Sequence, residues 1–250
     1  MTLRALLFDV DGTLAETERD GHRVAFNLAF AEAGLPIVWD EGVYGELLRI
    51  SGGKERIAYY VAHAAPEVRL SWEEISRLHR RKNEIFASLV PHLALRPGVR
   101  RLLEEGRAAG LKLAIATTTS PENVTTLLGV HGLVGFFDLV AAGDVVSRKK
   151  PAPDIYELVL RELRLAPEEA VAFEDSRNGL LAAQAAGIEV VVTPSFYTQE
   201  ESFPGALAVL EHLGEPGRPA RVLAGPDSGP VVVTPQWIAD RLLRRRVRVG

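Results

Sequence analysis

The stretch Leu6-Leu7-Phe8-Asp9-Val10-Asp11-Gly12-Thr13-Leu14 decides the fold. An apolar run stops at two aspartates spaced i, i+2, and Gly then Thr follow. Such a run reads as a buried parallel strand whose carboxyl end presents charge, the edge at which open α/β sheets bind ligands. Side chains alternate along a strand, so Asp9 and Asp11 are expected on one side. Carboxylates that close repel, and both ionise readily only with a cation or a proton between them. Gly12 lets the chain turn and brings backbone N–H groups near an anion. The pattern asks for Mg2+ and a phosphoryl group, although a strand ending in an Asx-type turn has the same local sequence.

Working outward, strand-like runs recur at Leu111–Ala116, Leu139–Ala142, Ala170–Phe173 and Val190–Val192. Helical periodicity lies between them, as in Gly98–Ala109, Asp154–Leu163 and Asn178–Ala186. This alternation predicts right-handed βαβ crossovers and a mostly parallel sheet of the α/β class. The break is Glu16 to about Pro91, which reads as successive helices (Asp20–Ala33, Lys54–Ala64, Ser71–Leu89) without a strand. An insertion there hangs over the carboxyl end of the first strand, as a lid would. The expected division is a core of residues 1–15 and 92–213, a helical cap of 16–91 and an extension of 214–250. In that extension, Gly214–Pro230 reads as a loop, Val231–Val233 as a strand and Gln236–Arg246 as a helix capped by Thr234-Pro235. The basic run Arg244–Arg248 is expected to be a solvated helix end that complements the macrodipole.

Composition narrows the function classes. The chain has 250 residues, 47% of them hydrophobic, enough for one large domain or a core plus an insertion. A net charge of −4 gives no electrostatic case for nucleic acid, and the absence of cysteine excludes disulfides and a thiol nucleophile. The first strand begins without a signal peptide and no apolar run spans a membrane, so a soluble, cytoplasmic monomer is expected. Of 29 basic residues only five are lysine, at 54, 82, 112, 149 and 150. Lysine is a compact point charge that can approach a phosphoryl group, whereas arginine is a broad fork.

Three further loops follow core strands. Thr117-Thr118-Thr119-Ser120, with Pro121 opening a helix, offers hydroxyls and N–H groups to a phosphoryl group. Gly143-Asp144 leads to Lys149-Lys150-Pro151, where a lysine fixed ahead of proline can neutralise both an aspartate and a phosphate. Glu174-Asp175-Ser176, followed by Asn178-Gly179, is a second acidic pair at a strand end. Each alone could be a turn or a helix cap; together they point to one site.

On these residues the chain resembles the haloacid dehalogenase superfamily over roughly residues 3–213. Its four motifs stand in order: DVDGT at Asp9–Thr13, Thr117, Lys150, and Glu174-Asp175. Within that superfamily it is most similar to the CbbY type of sugar-phosphate phosphatase, next to β-phosphoglucomutase. The signs are Ala15-Glu16-Thr17-Glu18, His22-Arg23, Gly52-Gly53-Lys54-Glu55-Arg56-Ile57, Ala116–Ser120 and Lys149–Tyr156. One residue is inserted before His22 relative to that pattern, and the pattern ends before residue 214.

The resemblance implies a Rossmann-like core with a helical C1 cap. It implies that Asp9 is the nucleophile, forming an aspartyl-phosphate, and Asp11 the general acid/base, kept neutral while Asp9 stays ionised. It places Mg2+ on Asp9, the Asp11 carbonyl, Glu174 and Asp175, and the phosphoryl oxygens on Thr117 and Lys150. Substrate contacts would come from Glu18, His22, Arg23, Gly52, Gly53, Lys54, Arg56 and Lys82 of the cap and from Thr118, Thr119, Ser120 and Asn178. The basic residues among the cap set would form a second cluster suited to a sugar bisphosphate. The implied substrate is xylulose-1,5-bisphosphate, whose removal supports Rubisco near the Calvin cycle. β-Phosphoglucomutase and a phosphatase of sugar monophosphates are the alternatives.

Overall fold

The computed structural model describes residues 2–226 and 229–249, the last four of these without their side chains. Asp227, Ser228 and Gly250 of the extension, and the side chains of Arg246 and Arg248 in the basic run, lie outside the described residues.

The described residues form one seven-stranded sheet in the order β3-β2-β1-β4-β5-β6-β7. The strands are β1 (Ala5–Phe8), β2 (Lys112–Thr117), β3 (Leu139–Ala142), β4 (Ala170–Glu174), β5 (Glu189–Val192), β6 (Ala208–Leu210) and β7 (Val222–Ala224). All neighbours are parallel except β6 and β7. The chain leaves β1 for β2 and β3 on one side, then crosses to β4 on the other. The crevice between the ends of β1 and β4 is therefore the topological switch point, where sheets of this kind bind ligands.

Alternation divides the core. Leu6 and Phe8, with Leu113, Ile115, Val171 and Phe173, pack under α5 (Val99–Ala108), α6 (Pro121–Val130) and α9 (Pro235–Val249). The opposite face carries mainly Ala and Val, among them Ala114, Ala116, Ala170 and Ala172. These small residues let α7 (Asp154–Leu163) and α8 (Arg177–Ala185) sit close to the strands. Phe8 and Phe173 stack across the β1–β4 pair at 4.6 Å.

Between β1 and α5 the chain builds α1 (Arg23–Glu32), α2 (Glu41–Leu47), α3 (Gly53–His63) and α4 (Trp72–Leu89). These helices have their own core around Phe26, Phe30, Trp39, Tyr44 and Ile57. A π-helical turn, Glu18–His22, leads into α1. A π turn absorbs one extra residue, which accounts physically for the insertion noted before His22. The two segments that join this insertion to the core lie side by side. Ala15 bridges Leu95, and the Arg96 N–H donates to the Leu14 carbonyl at 2.8 Å. The Arg96 guanidinium then donates to the carbonyls of Gly12, Thr193, Pro194 and Glu211.

The extension differs from expectation. Val231–Val233 is not a strand: Val231 makes one bridge, to Ala220, and Val231 and Val233 are buried in the core beneath α9. The edge strand is β7, inside the stretch read as a loop. Burial, rather than ladder pairing, explains the valine run. Thr234 does cap α9, its hydroxyl accepting from the Trp237 N–H at 3.1 Å. Arg245, from the basic run, is not simply solvated; it pairs with Glu189 at 3.0 Å and donates to the carbonyls of Gly205 and Ala206.

Candidate active site

Four loops at the carboxyl ends of β1, β2, β3 and β4 open into one cavity of about 1100 Å³, whose other wall is α3, α4 and the π turn. Strand β1 delivers Asp9. The Asp9 N–H donates to Phe173 O at 3.0 Å, which fixes the residue against β4, and its carboxylate receives Lys150 Nζ at 2.7 Å. Lys150 also donates to Glu174 Oε1 at 2.6 Å and to Ala116 O at 2.8 Å, so one buried ammonium ties together the ends of β1, β2 and β4. The Tyr156 hydroxyl, from α7, donates to the same Glu174 oxygen.

Asp9, Glu174 and Asp175 are all buried, and a carboxylate oxygen of each lies within 4.8 Å of the others. Glu174 Oε2 is buried without a hydrogen-bond partner. A Cβ at Gly12 would strike the Asp175 carboxylate and one at Gly179 would strike Glu174, so both glycines are needed to let these acids gather. Burial pushes the Asp9 carboxyl up to about 7 against the pull of Lys150, and burial and Asp9 push Asp175 well above the usual range. One lysine does not neutralise three carboxylates in a dry site. An orphaned buried oxygen among hard oxygen donors fits a divalent cation such as Mg2+.

Asp11 takes other partners. Its carboxylate accepts from the hydroxyls of Thr17 and Thr119 and lies 2.9 Å from His22 Nε2. His22 Nδ1 in turn meets Lys82 Nζ at 2.7 Å, and Lys82 is buried between the rings of Phe26 and Phe86. Burial raises the Asp11 carboxyl, but His22, Thr17 and Lys82 outweigh it and bring the group down to about 2. With no divalent cation among the acids, these directions run opposite to the expected neutral Asp11 beside an ionised Asp9. The cause is that β1 ends at Phe8, so Asp11 lies beyond the strand and reaches basic residues of the insertion.

The hydroxyl loop divides its work. Thr117 is buried at the end of β2 and its hydroxyl accepts from the Thr119 N–H at 3.3 Å. Ser120 caps α6 and accepts from Asn83 Nδ2 at 3.3 Å. Thr118 and Asn178 line the cavity, and Asn178 donates to Arg49 O at 3.3 Å, joining α8 to the insertion.

The expected single basic cluster is divided among different partners. Lys82 and His22 serve Asp11. Arg56 lies 3.7 Å from Glu18 and donates to Ile50 O at 2.9 Å, while Glu18 also accepts from the Tyr44 hydroxyl. Lys54, at the start of α3 beside Gly52 and Gly53, pairs with Asp144 at 2.8 Å. Arg23 does not reach the cavity. It folds back on Arg19 O and faces Glu41, because one step along a helix turns a side chain by about 100° away from His22.

Sequence reasoning missed His79, which lines the cavity and is pushed down to about 3 by burial and by Lys82. Its signal was the spacing His79, Lys82, Asn83, Phe86, one face of a helix. Arg96, Tyr156 and the Ser195–Thr198 turn beside Asp175 carried no such signal.

Comparison with known proteins bears on the family and the fold. A sequence model of the family described as haloacid dehalogenase-like hydrolase matches residues 6–193. The chain is 49% identical over 220 residues to Protein CbbY of Cereibacter sphaeroides, covering 86% of this chain and 94% of that one. It is 36% identical over 188 residues to the phosphorylated carbohydrates phosphatase of Thermotoga maritima, covering 75% of this chain and 83% of that one. The crystal structure of a CbbY mutant from Rhodobacter sphaeroides in complex with xylulose-1,5-bisphosphate superposes with a TM-score of 0.80 at 49% identity, covering 84% of this chain and 95% of that one.

Proposed function

The chain belongs to the haloacid dehalogenase-like hydrolase family, and from that premise we propose that it is a Mg2+-dependent phosphatase of a sugar bisphosphate. The observation that carries the reading is Lys150, which holds Asp9 against Glu174 at the switch point of the sheet, beneath a cavity whose far wall is studded with basic residues.

Asp9 attacks the phosphorus and becomes the aspartyl-phosphate; the P–O bond to the sugar breaks and the sugar oxygen takes a proton from Asp11. Water, deprotonated by Asp11, then hydrolyses the intermediate and frees Asp9. Ionised Asp11 suits this second half, and His22 Nε2 at 2.9 Å is its proton donor for the first. Lys150, Thr117 and the Thr118 N–H hold the phosphoryl oxygens. Asp9, Glu174, Asp175 and the Asp11 carbonyl would hold Mg2+, whose charge would lower the repulsion between the anionic nucleophile and the phosphoryl group. The helical insertion acts as the cap that selects the sugar and excludes water.

Xylulose-1,5-bisphosphate, the ligand in the CbbY structure, is the first candidate, and its removal in the cytoplasm would support Rubisco. The test is phosphate release in Mg2+ from sugar bisphosphates, monophosphates and β-glucose 1-phosphate, by wild type and Asp9→Asn. Release from the bisphosphate by wild type alone is expected. Conversion of β-glucose 1-phosphate to glucose 6-phosphate without phosphate release would replace the reading with that of a mutase, and equal release by both proteins would remove Asp9 from the chemistry.

A further inference from the structure

Two of the chain's five lysines meet across the seam between the helical insertion and the core. Lys54, from the first turn of α3, reaches down to Asp144 Oδ2 at 2.8 Å. Lys149, from the core, reaches up to Glu55 Oε1 at 2.9 Å and also binds Asp144 Oδ1 at 3.0 Å. Each ion pair across the seam thus runs in the opposite sense to the other, and Asp144 is the anion shared by both ammonium groups. Gly52 permits the arrangement: its φ is +101°, and a Cβ there would stand 2.6 Å from Lys149 Nζ. No side chain caps the N-terminus of α3, which opens on the same spot.

The four charges cancel, so the seat is neutral as it stands, but its members are unequally held. The Lys149 side chain is 16% exposed and Lys54 25%, and Lys54 also lies over the ring of Trp72. Asp144 is 60% exposed, and its carboxylate can turn to water with little desolvation to recover. A phosphate monoester offers about two negative charges and three acceptor oxygens, more than one carboxylate can. Lys54, Asp144 and Lys149 all line the cavity that holds Asp9.

We infer that Asp144 is a resident counter-anion of Lys54 and Lys149 which the phosphate that is not transferred displaces, so that Asp144 weakens the preference for bisphosphates. The inference rests on the bisphosphate reading above and adds to it a core lysine and an exchangeable acid. A monophosphate has no second group with which to evict Asp144, and for it the Lys54–Asp144 pair stays closed.

The test compares KM for xylulose-1,5-bisphosphate and for p-nitrophenyl phosphate in wild type, Asp144→Ala and Asp144→Asn. Both substitutions remove the competing charge, whereas only Asn keeps the side-chain volume. Losing a partly exposed competitor should lower KM for the bisphosphate about two- to fivefold in both variants, with a smaller change for the aryl phosphate. Lys149→Met should raise the bisphosphate KM in the opposite direction. A wild type with the lower KM for the bisphosphate, whose KM ratio is unmoved in either Asp144 variant or moves in Ala but not Asn, overturns the inference alone. A wild type that does not prefer the bisphosphate overturns the substrate reading and the inference with it.

Discussion

Asp9 and Asp11 stand two residues apart and are held from opposite sides: Asp9 by Lys150 of the core, Asp11 by His22 of the helical insertion. The first carboxyl is pushed up to about 7 and the second brought down to about 2. Environments that separate two like groups this far mark distinct chemical parts. Asp9→Asn should lower phosphate release by about 10⁴-fold or more, and Asp11→Asn by about 10²- to 10⁴-fold, in single-turnover assays with Mg2+. Asp11→Asn, unlike Asp9→Asn, should still form a phosphorylated protein that acid quench and mass spectrometry can detect. Labelling of Asp9→Asn would move the nucleophile away from Asp9.

The pH dependence of stability has a definite sign. The folded values of Asp9 and Asp175 lie above their unfolded value of 3.8. Their burial therefore costs nothing below about pH 4, and metal-free stability falls as pH rises from there through about 7. Mg2+ binds the ionised carboxylates, so it should raise Tm more at pH 8 than at pH 6. At saturation the rise should be roughly 5–10 °C for a chain of this size. Thermal unfolding with and without Mg2+ at the two pH values checks this; an equal shift at both would show that the ion binds elsewhere.

Lys150→Met leaves Asp9 and Glu174 buried without their shared cation. Activity should fall about 10²- to 10³-fold, and stability at pH 8 by about 3–5 kcal/mol, as for a broken buried pair. The orphaned carboxyls can take up protons, so the deficit should narrow at pH 5. Chemical denaturation at both pH values measures it, and a deficit independent of pH would mean that the loss is one of packing.

Lys82 is buried and pushed down to about 7 by that burial. Its cost to the fold accumulates as pH falls from 10.5 to 7 and is full below 7. Lys82→Met, set between Phe26 and Phe86, should therefore be neutral or more stable by about 1–3 kcal/mol at pH 6. The same change withdraws a cation from His22 and Asp11, and kcat/KM should fall about tenfold or more. A variant that loses stability and activity together would show that Lys82 is chiefly structural.

Much of this architecture is legible in the chain because strand ends are local signals. β1 and β3 run over Ala5–Phe8 and Leu139–Ala142 as read from the apolar runs, and the motif loops follow strands that the sheet then brings to one edge. Helix α2 escaped because it is short and buries only Tyr44 and Leu47. The three valines at 231–233 misled because burial and strand pairing leave the same mark on a sequence. Arg23 was misassigned because the phase of a helix cannot be followed through a π turn. The setting of Asp11 left no local signal because it depends on Lys82, 71 positions away and joined to it only through His22. The pairing of Lys54 with Asp144 is long-range in the same way.

The side-by-side course of the two connecting segments, Ala15 against Leu95 with Arg96 clasping four carbonyls of the core, brings the insertion's entry and exit to one place. The loop that the insertion makes is thereby closed at its base. The entropy of joining its two ends is lost once, when the core folds, and is not lost again when its helices pack.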